Sequence, residues 1–180
     1  MDIIVDRIGE VVNSMQNLSE KEGEKYGILP GLNSPFYFFG HPIDVNKQLI
    51  QRDQDKVNKH RKYPAIVLRL PTREEMYYGM IHYDLNIAIL AETDVALDTP
   101  ERYEKVIKPI LIPLYELFLD RLKSHKFSWK GNQIRAPHVK IDQPFYGVPE
   151  TQGNKAYIFS NPLDAIEIVS LKINSQFKHC

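Results

Sequence analysis

The apolar residues near the start of the chain recur at intervals of three and four positions, the spacing of one face of an α-helix. They are Ile4, Ile8, Val11, Val12, Met15 and Leu18. We therefore predict a first helix over 4–18, packed on the core by this face or, alternatively, serving as an arm that binds a partner. The polar stretch from Glu20 contains Gly23, and we expect the helix to end before it.

The next apolar runs are short and bounded by turn residues. Residues 36–39 are aromatic and lie between a proline and a glycine, so they predict a strand. Residues 65–70 are rich in branched aliphatic side chains and predict a second strand, which we expect to end at Pro71. Between them the pattern predicts a helix over 43–54, with three apolar residues facing inward: Val45, Leu49 and Ile50.

Residues 80–92 alternate between two faces, the period of a β-strand. One face is apolar throughout and consists of Ile81, Tyr83, Leu85, Ile87 and Ile89. The other face begins with His82 and Asp84 and is therefore partly polar. The preceding segment, 71–79, is long enough to join two strands as a hairpin with an extended tip.

A helix start follows at residues 98–101. Thr99 can cap the helix, Pro100 suits its first turn, and Glu101 complements the positive end of the helix dipole. Apolar spacing continues this helix to about residue 123. Pro109 and Pro113 lie within it and should bend it, or divide it into two short helices.

The last third of the chain is less regular. We expect a projecting loop at about 124–153, with one strand near 139–141 inside it. A short strand is predicted at 156–159 and a longer one at 164–173. The alternation in the longer strand changes phase near Val169 and Ser170, which indicates a β-bulge.

Together these elements predict a single α+β domain over 1–180. Strands joined by short connections favour a mostly antiparallel or mixed sheet, packed against two or three helices, with long projecting loops.

The composition narrows the function. The chain has 23 basic and 23 acidic residues, so its net charge is zero and a general nucleic-acid coat is disfavoured. The one cysteine, Cys180, cannot form an internal disulfide. The start of the chain lacks the pattern of a signal peptide, and no apolar run is long enough to span a membrane.

The sequence contains no nucleotide-binding glycine loop, nucleophile elbow or metalloprotease motif. His82 and Asp84 share a strand face and could reach one metal ion, but a third ligand, such as His41 or His138, would have to converge on them. Asp53 lies with Asp55 in a polar run that is more simply a solvated segment. We therefore expect no catalytic residue, no metal site and no cofactor.

A basic cluster is the most unusual local feature. Between residues 121 and 140 there are six basic residues and no acidic one: Arg121, Lys123, Lys126, Lys130, Arg135 and Lys140. The cluster could contact phosphate or an acidic neighbouring subunit, or it could be a solvated loop. Four aromatic residues nearby could supply contact area at an interface: Phe127, Trp129, Phe145 and Tyr146.

The order of these elements resembles that of the tail-terminator or tail-completion-like proteins of tailed bacteriophages, which form rings at the head–tail connection. The matching pieces are the first helix, the strand after Tyr63-Pro64, the strand over 82–89, the helix over 102–123 and the late strand beginning Asp164-Ala-Ile-Glu-Ile. The resemblance implies a structural virion protein without enzymatic activity. It would act by binding neighbouring rings and lining the DNA channel.

The resemblance also implies partners and a location. The chain would pair with copies of itself in a six- or twelve-fold ring, bind portal, neck or tail proteins, and touch DNA transiently in the channel, with no membrane contact. It would be made in the host cytoplasm and reside in the virion. Two alternatives stay open: a small DNA-binding module that uses the 121–140 segment, and a small metal-dependent enzyme that uses His82 and Asp84.

Overall fold

The computed structural model of the chain describes residues 4–16, 18–28, 34–54, 62–130, 133–146 and 161–176. Within these ranges the elements follow in the order α1 (Ile4–Asn13), α2 (Glu20–Tyr26), β1 (Phe36–Gly40), α3 (Pro42–Gln54), β2 (Ala65–Tyr77), β3 (Met80–Glu92), α4 (Thr99–Arg102), a π-helical segment (Tyr103–Leu111), α5 (Ile112–Ser124), β4 (Val139–Tyr146) and β5 (Leu163–Gln176).

The five strands form one mixed sheet in the order β1-β2-β3-β5-β4. β1 is parallel to β2, and the other three pairs are antiparallel. The long strands β2, β3 and β5 occupy its centre, because their apolar residues are buried on both faces for part of their length. The predicted α+β class, with a mostly antiparallel or mixed sheet and helices packed against it, is confirmed.

The sheet separates two apolar cores. The first face carries the larger core, built from the inward residues of β2, β3 and β5, from α1 and from the helix over 99–124. The second face carries a smaller core that includes Val45 and Leu49 of α3 and Ala88 and Leu90 of β3. The apolar alternation predicted for β3 is therefore confirmed, since every second residue from Ile81 to Ile89 is buried in the first core.

The first helix is shorter than predicted. α1 buries the apolar face that the spacing indicates but ends at Asn13, and a second helix begins at Glu20. Ser19 caps α2 through a reciprocal capping box with Glu22. Gly23 is buried within α2, so its predicted role as a stop is wrong. The helix ends at Tyr26 and is capped by Gly27, whose φ of 68° favours glycine.

α3 is confirmed, with one correction to its buried face. Val45 and Leu49 are buried four positions apart, as one helical face requires. Ile50 is 38% exposed, because it lies one further position around the helix.

The helix over 99–124 is continuous through both prolines. It starts with a capping box between Asp98 and Glu101, so Asp98 and not Thr99 is the cap. The widened π-helical turns hold Pro109, and the backbone N–H of Ile112 donates to the carbonyl of Ile107, five residues earlier. Longer-range hydrogen bonds of this kind relieve the clash that a proline makes with an ordinary helical turn. Pro113 lies in the first turn of α5, where it is tolerated.

β2 does not end at Pro71 as predicted but continues to Tyr77. The pairing between β2 and β3 shifts between Arg69 and Arg73, so Pro71 lies in an irregular stretch where its missing N–H breaks no regular ladder. The bulge predicted near Val169 and Ser170 is confirmed, since β5 has one extra residue there relative to β3 and Ser170 has a φ of 53°.

The predicted loop over 124–153 is partly a strand. β4 spans Val139–Tyr146 and pairs with β5 along one sheet edge, which confirms and lengthens the strand expected near 139–141. The end of the predicted loop, 147–153, and the strand predicted at 156–159 lie outside the described residues. Within the described ranges, every helix is too short or too polar to cross a lipid bilayer.

Candidate interaction surfaces at the hairpin end of the sheet

β2 and β3 form a long hairpin with a tight turn at its tip. Tyr77 pairs with Met80, so only Tyr78 and Gly79 form the loop. Both have positive φ angles, 49° and 73°. This matches a type I′ turn, whose twist suits the paired strands, and it places a tyrosine in a conformation that non-glycine residues seldom adopt.

The tip exposes large apolar side chains. Met76, Tyr77 and Tyr78 are 61%, 64% and 89% exposed. The two tyrosine rings meet edge to face, with centroids 4.2 Å apart. Three consecutive exposed residues of this size make both faces of the hairpin end apolar, and this end is called here the tip.

A cleft of about 820 Å³ lies beside the same hairpin, at the end of the sheet. It is lined by residues from β2, β3, β5 and the segment that follows α5: Arg73, Glu75, Met80, His82, Tyr83, Asp84, Ser128, Trp129, Lys130, Pro137, Lys172 and Asn174. The cleft thus has apolar walls with charged groups among them.

Backbone pairing holds the outer wall of the cleft in place. Ser128 and Asn174 exchange backbone hydrogen bonds of 3.0 and 2.7 Å, and the N–H of Lys172 donates to the carbonyl of Pro137 at 3.0 Å. The indole N–H of Trp129 donates to the carbonyl of Gln133 at 2.9 Å. The wall therefore continues the sheet beyond the point where β4 begins.

His82 and Asp84 both line the cleft, as their shared strand face predicts. His82 Nδ1 lies 2.6 Å from Asn174 Oδ1. The hydroxyl of Ser170 donates to both oxygens of Asp84, at 2.9 and 3.0 Å. These partners satisfy the two side chains as parts of a polar wall.

The third ligand considered for a metal site does not join them. His138 Nε2 lies 2.6 Å from the hydroxyl of Tyr115, and its Nδ1 lies 2.7 Å from the carbonyl of Ala136. Burial raises the pKa of Tyr115, which keeps its hydroxyl protonated as a donor to His138. His41 is at the start of α3. Among the residues that the structure describes, no three His, Cys, Asp or Glu side chains form a group that could hold a metal ion.

Three of the six residues of the basic cluster form ion pairs with carboxylates of the chain. Arg121 forms a 2.7 Å ion pair with Glu22 of α2. Arg135 pairs with Glu116 of α5. Lys140 pairs with Asp142, two residues along β4. These three cations hold the fold together locally, so they offer less charge to an external phosphate than the sequence indicated.

The other three basic residues, Lys123, Lys126 and Lys130, are exposed. None has a carboxylate within salt-bridge distance in the part of the chain that the structure describes. Lys130 also lines the cleft. The free charge of the cluster is therefore carried by lysines at and after the end of α5.

The four aromatic residues predicted at an interface divide into buried and accessible ones. Phe127 is only 4% exposed and packs in the first core, with the Arg7 guanidinium 4.2 Å from its ring centre. Tyr146 is buried in the second core. Trp129 is half-buried at the cleft, and Phe145 is exposed at the other end of β4. The interface role predicted for Phe127 and Tyr146 is thus corrected, because both side chains are buried in the interior of the chain.

Sequence reasoning recognised the hairpin but missed the apolar tip. The sequence does contain a signal for it. Met76, Tyr77 and Tyr78 directly precede a glycine, and glycine is common in two-residue hairpin turns, so these residues could have been placed at the end of the hairpin. The cleft had no local signal, because residues more than 40 positions apart build its walls.

The chain was compared with protein-family models and with curated proteins. No family model matches it, and no curated protein matches it.

Proposed function

We propose that this chain is a structural subunit that assembles with copies of itself into a ring. The observation that carries the proposal is the tip, where Met76, Tyr77 and Tyr78 are largely exposed at the end of a long two-stranded hairpin. Methionine and tyrosine are enriched at protein interfaces, and complete burial of a fully exposed large apolar side chain is favourable by about 1.5–3 kcal/mol. An interface at the tip would bury these side chains, which are exposed to solvent in the single chain.

The two edges of the sheet support the same proposal. β1 pairs only with β2, and β4 pairs only with β5, so each leaves one side of its backbone unpaired by another described strand. On β4 the exposed side chains of Val139 and Ile141 add apolar area. Different surfaces at the two edges and the tip suit head-to-tail contacts, which close into rings when the rotation between subunits permits.

We place this ring at the neck or tail of a tailed phage particle, where it binds portal, neck or tail proteins. The support is the order of elements that underlies the resemblance: α1, the strand after Tyr63-Pro64, the long strand β3, the helix over 99–124 and the late strand β5. The action is mechanical, and it consists of fitting between a ring above and a ring below.

DNA passing through such a ring would meet the lysines that keep their charge. Lys123, Lys126 and Lys130 are exposed and would give weak, salt-sensitive contact with phosphate. These three lysines are also what favours the second candidate, a DNA-binding module. It ranks below assembly because Arg121, Arg135 and Lys140 are already paired with carboxylates.

Negative-stain electron microscopy of the purified full chain tests the proposal. The expected image is a closed ring with a central opening and six or twelve subunits, alone or after addition of neck proteins. Single globular particles under both conditions would contradict it.

A further inference from the structure

We propose that the subunits join by inserting the hairpin tip of one copy into the cleft of the next, so that Tyr77 and Tyr78 pack against the wall that contains Trp129. This inference rests on the proposed function and specifies its interface. Both surfaces are apolar, and their surrounding charges are opposite. The tip cannot occupy the cleft of its own chain.

The tip ends a hairpin whose strands are paired up to the turn. Tyr77 and Met80 remain paired up to a two-residue turn, so little backbone freedom is left to be lost on binding. The edge-to-face contact between Tyr77 and Tyr78 holds the two rings as one unit. A preorganised aromatic knob of this kind is a common anchor at the centre of protein interfaces.

The cleft is a concave surface of matching size. Its volume of about 820 Å³ lies in the range of pockets that bind molecules as large as two tyrosine side chains. Met80, Trp129 and Pro137 give it apolar walls, and the half-buried indole of Trp129 offers a face on which an aromatic ring can pack.

The charges around the two surfaces are complementary. Glu74 is exposed on the hairpin, four residues before Tyr78. Lys130 and Lys172 are exposed at the cleft, and neither has a carboxylate partner among the residues that the structure describes. Insertion of a neighbouring hairpin would bring Glu74 towards these lysines, which steers the approach and makes association weaker at high salt.

The tip of a chain cannot fill its own cleft. Arg73 and Met80, on the two strands of the same hairpin, already line that cleft. Because the strands stay paired up to Tyr77, the tip has no flexible segment that would let it fold back. When the tip of one copy enters the cleft of the next and its own cleft receives a third copy, the contact is head-to-tail, and each subunit gives one tip and receives another.

A nucleic acid is the other occupant to consider. A base could stack on Trp129 while Lys130 and Lys172 contact phosphate. The tip is favoured because its exposed apolar side chains need a partner surface, and the walls formed by Met80, Trp129 and Pro137 suit aromatic rings better than a charged phosphate backbone.

Sedimentation of three full-length proteins tests the interface. The wild-type chain is expected to assemble, and Tyr77→Ser/Tyr78→Ser is expected to associate at least about tenfold more weakly, since it loses two anchor rings. Ile134→Ser is the control, because Ile134 is 85% exposed and does not line the cleft; it should assemble as the wild type does. A wild-type far-UV circular dichroism spectrum and a cooperative urea transition for the monomeric tip variant show that its fold is intact.

Charge reversal gives a second test, because reversing the charges of the cleft alone and reversing those of both cleft and tip are expected to have opposite effects on assembly. Lys130→Glu/Lys172→Glu is expected to weaken assembly, and adding Glu74→Lys to that chain is expected to restore it. Mixing the tip variant with Lys130→Glu/Lys172→Glu should give complexes of two chains and no larger species. The first chain has only an intact cleft and the second has only an intact tip, so one contact can form and no further chain can be added.

Trp129 is the sole tryptophan of the chain, so its emission reports directly on the cleft. Assembly of the wild type is expected to shift this emission to shorter wavelength, and the tip variant should show no shift at the same concentration. Quenching of Trp129 in the tip variant by an oligothymidylate would overturn the proposed occupant in favour of nucleic acid.

The outcomes separate the interface from the function. A wild type that assembles together with a tip variant that assembles equally well would overturn the tip-in-cleft contact and leave the ring proposal standing. A wild type that stays a monomer at every concentration and with neck proteins would overturn both.

Discussion

The guanidinium of Arg102 donates a 2.9 Å hydrogen bond to the carboxylate of Asp164, and the two side chains are 1% and 0% exposed. Arg102 also donates to the carbonyls of Asp94 and Leu97, at 2.7 and 2.9 Å. The backbone N–H of Phe145 donates to the same oxygen of Asp164 at 3.0 Å. This buried pair joins the loop after β3, the start of the helix over 99–124, β4 and β5.

Replacing Arg102 with Met should strongly destabilise the chain. The substitution leaves the Asp164 carboxylate buried without its cation, and breaking a buried ion pair in this way costs about 3–5 kcal/mol of the free energy of unfolding. Urea denaturation followed by circular dichroism measures this change.

Two further variants make that measurement specific. Lys108→Met removes one member of an exposed pair with Glu104 and should change the free energy of unfolding by less than about 1 kcal/mol. Adding Asp164→Leu to Arg102→Met should recover part of the stability, because no buried charge is then unpaired. Equal stability of Arg102→Met and the wild type would show that the pair does not hold these elements together.

Close packing of α1 on β1 leads to a second prediction. A Cβ atom at Gly9 would lie 3.2 Å from the ring of Tyr37. That ring has little freedom to move, because its hydroxyl donates a 2.8 Å hydrogen bond to the carbonyl of Val5. Burial raises the pKa of Tyr37, which keeps the hydroxyl protonated for this bond.

Gly9→Ala should therefore lower the free energy of unfolding by about 1 kcal/mol. The better helix propensity of alanine adds about 0.8–1.0 kcal/mol, but crowding against Tyr37 costs about 1–3 kcal/mol. Glu10→Ala, on the exposed side of α1, is the control and should be neutral or slightly stabilising. A Gly9→Ala chain more stable than the wild type would mean that the Tyr37 ring moves aside easily.

Local patterns were sufficient for elements whose burial follows a simple period. The alternation in β3 and the change of phase at Ser170 both identified real features, because each strand position faces either a core or solvent. α2 was missed because its residues are polar and include Gly23, although Ser19 and Glu22 already had the spacing of a capping box. β2 was expected to end at Pro71, because proline usually ends a strand. It continues to Tyr77 because residues 73–77 pair with β3, and this pairing cannot be recognised from the proline alone.

The candidate site was predictable only in part. His82 and Asp84 were expected on one face because that relation is local, and both line the cleft. The pairing of Arg121 with Glu22 and of Arg135 with Glu116 is non-local, so counting charge along the sequence overstated the free charge of the basic cluster. These carboxylate partners can be identified only from the tertiary structure, which brings residues distant in the sequence into contact.

The two capping boxes lead to a pH prediction. The backbone N–H and the hydroxyl of Ser19, followed by the charge of Arg121, lower the pKa of Glu22 in the folded chain. For Glu101, the ammonium of Lys105 and then the backbone N–H of Asp98 lower the pKa in the same direction. A carboxylate whose pKa is lowered by folding stabilises the fold above its unfolded pKa, and this contribution is lost as the pH falls through the folded pKa.

In Glu22→Gln/Glu101→Gln, the fall in stability between about pH 5 and pH 3 should be shallower than in the wild type. Urea midpoints measured across this range test the difference. Glu24→Gln, an exposed carboxylate on α2, is the matched control and should keep the wild-type slope. Identical slopes for all three proteins would show that the capping carboxylates contribute nothing to the pH dependence.

Binding of DNA should depend on the lysines that lack ion-pair partners. Lys123→Ala/Lys126→Ala is expected to weaken binding to duplex DNA and to lower the dependence of log affinity on log salt by up to about 0.9 for each phosphate that is no longer neutralised. Arg135→Ala is the comparison, because Arg135 is already paired with Glu116 and should matter less. Fluorescence anisotropy at several salt concentrations measures both effects. A larger effect of Arg135→Ala than of the double lysine variant would reverse this assignment.

The proposed function requires the chain to assemble with copies of itself. Analytical ultracentrifugation of the purified full-length protein, over a wide concentration range and with neck or portal protein added, measures this assembly. We expect a species with six or twelve times the chain mass of 20.9 kDa. A single species of 20.9 kDa at every concentration, with or without the added proteins, would show that the chain does not form a ring.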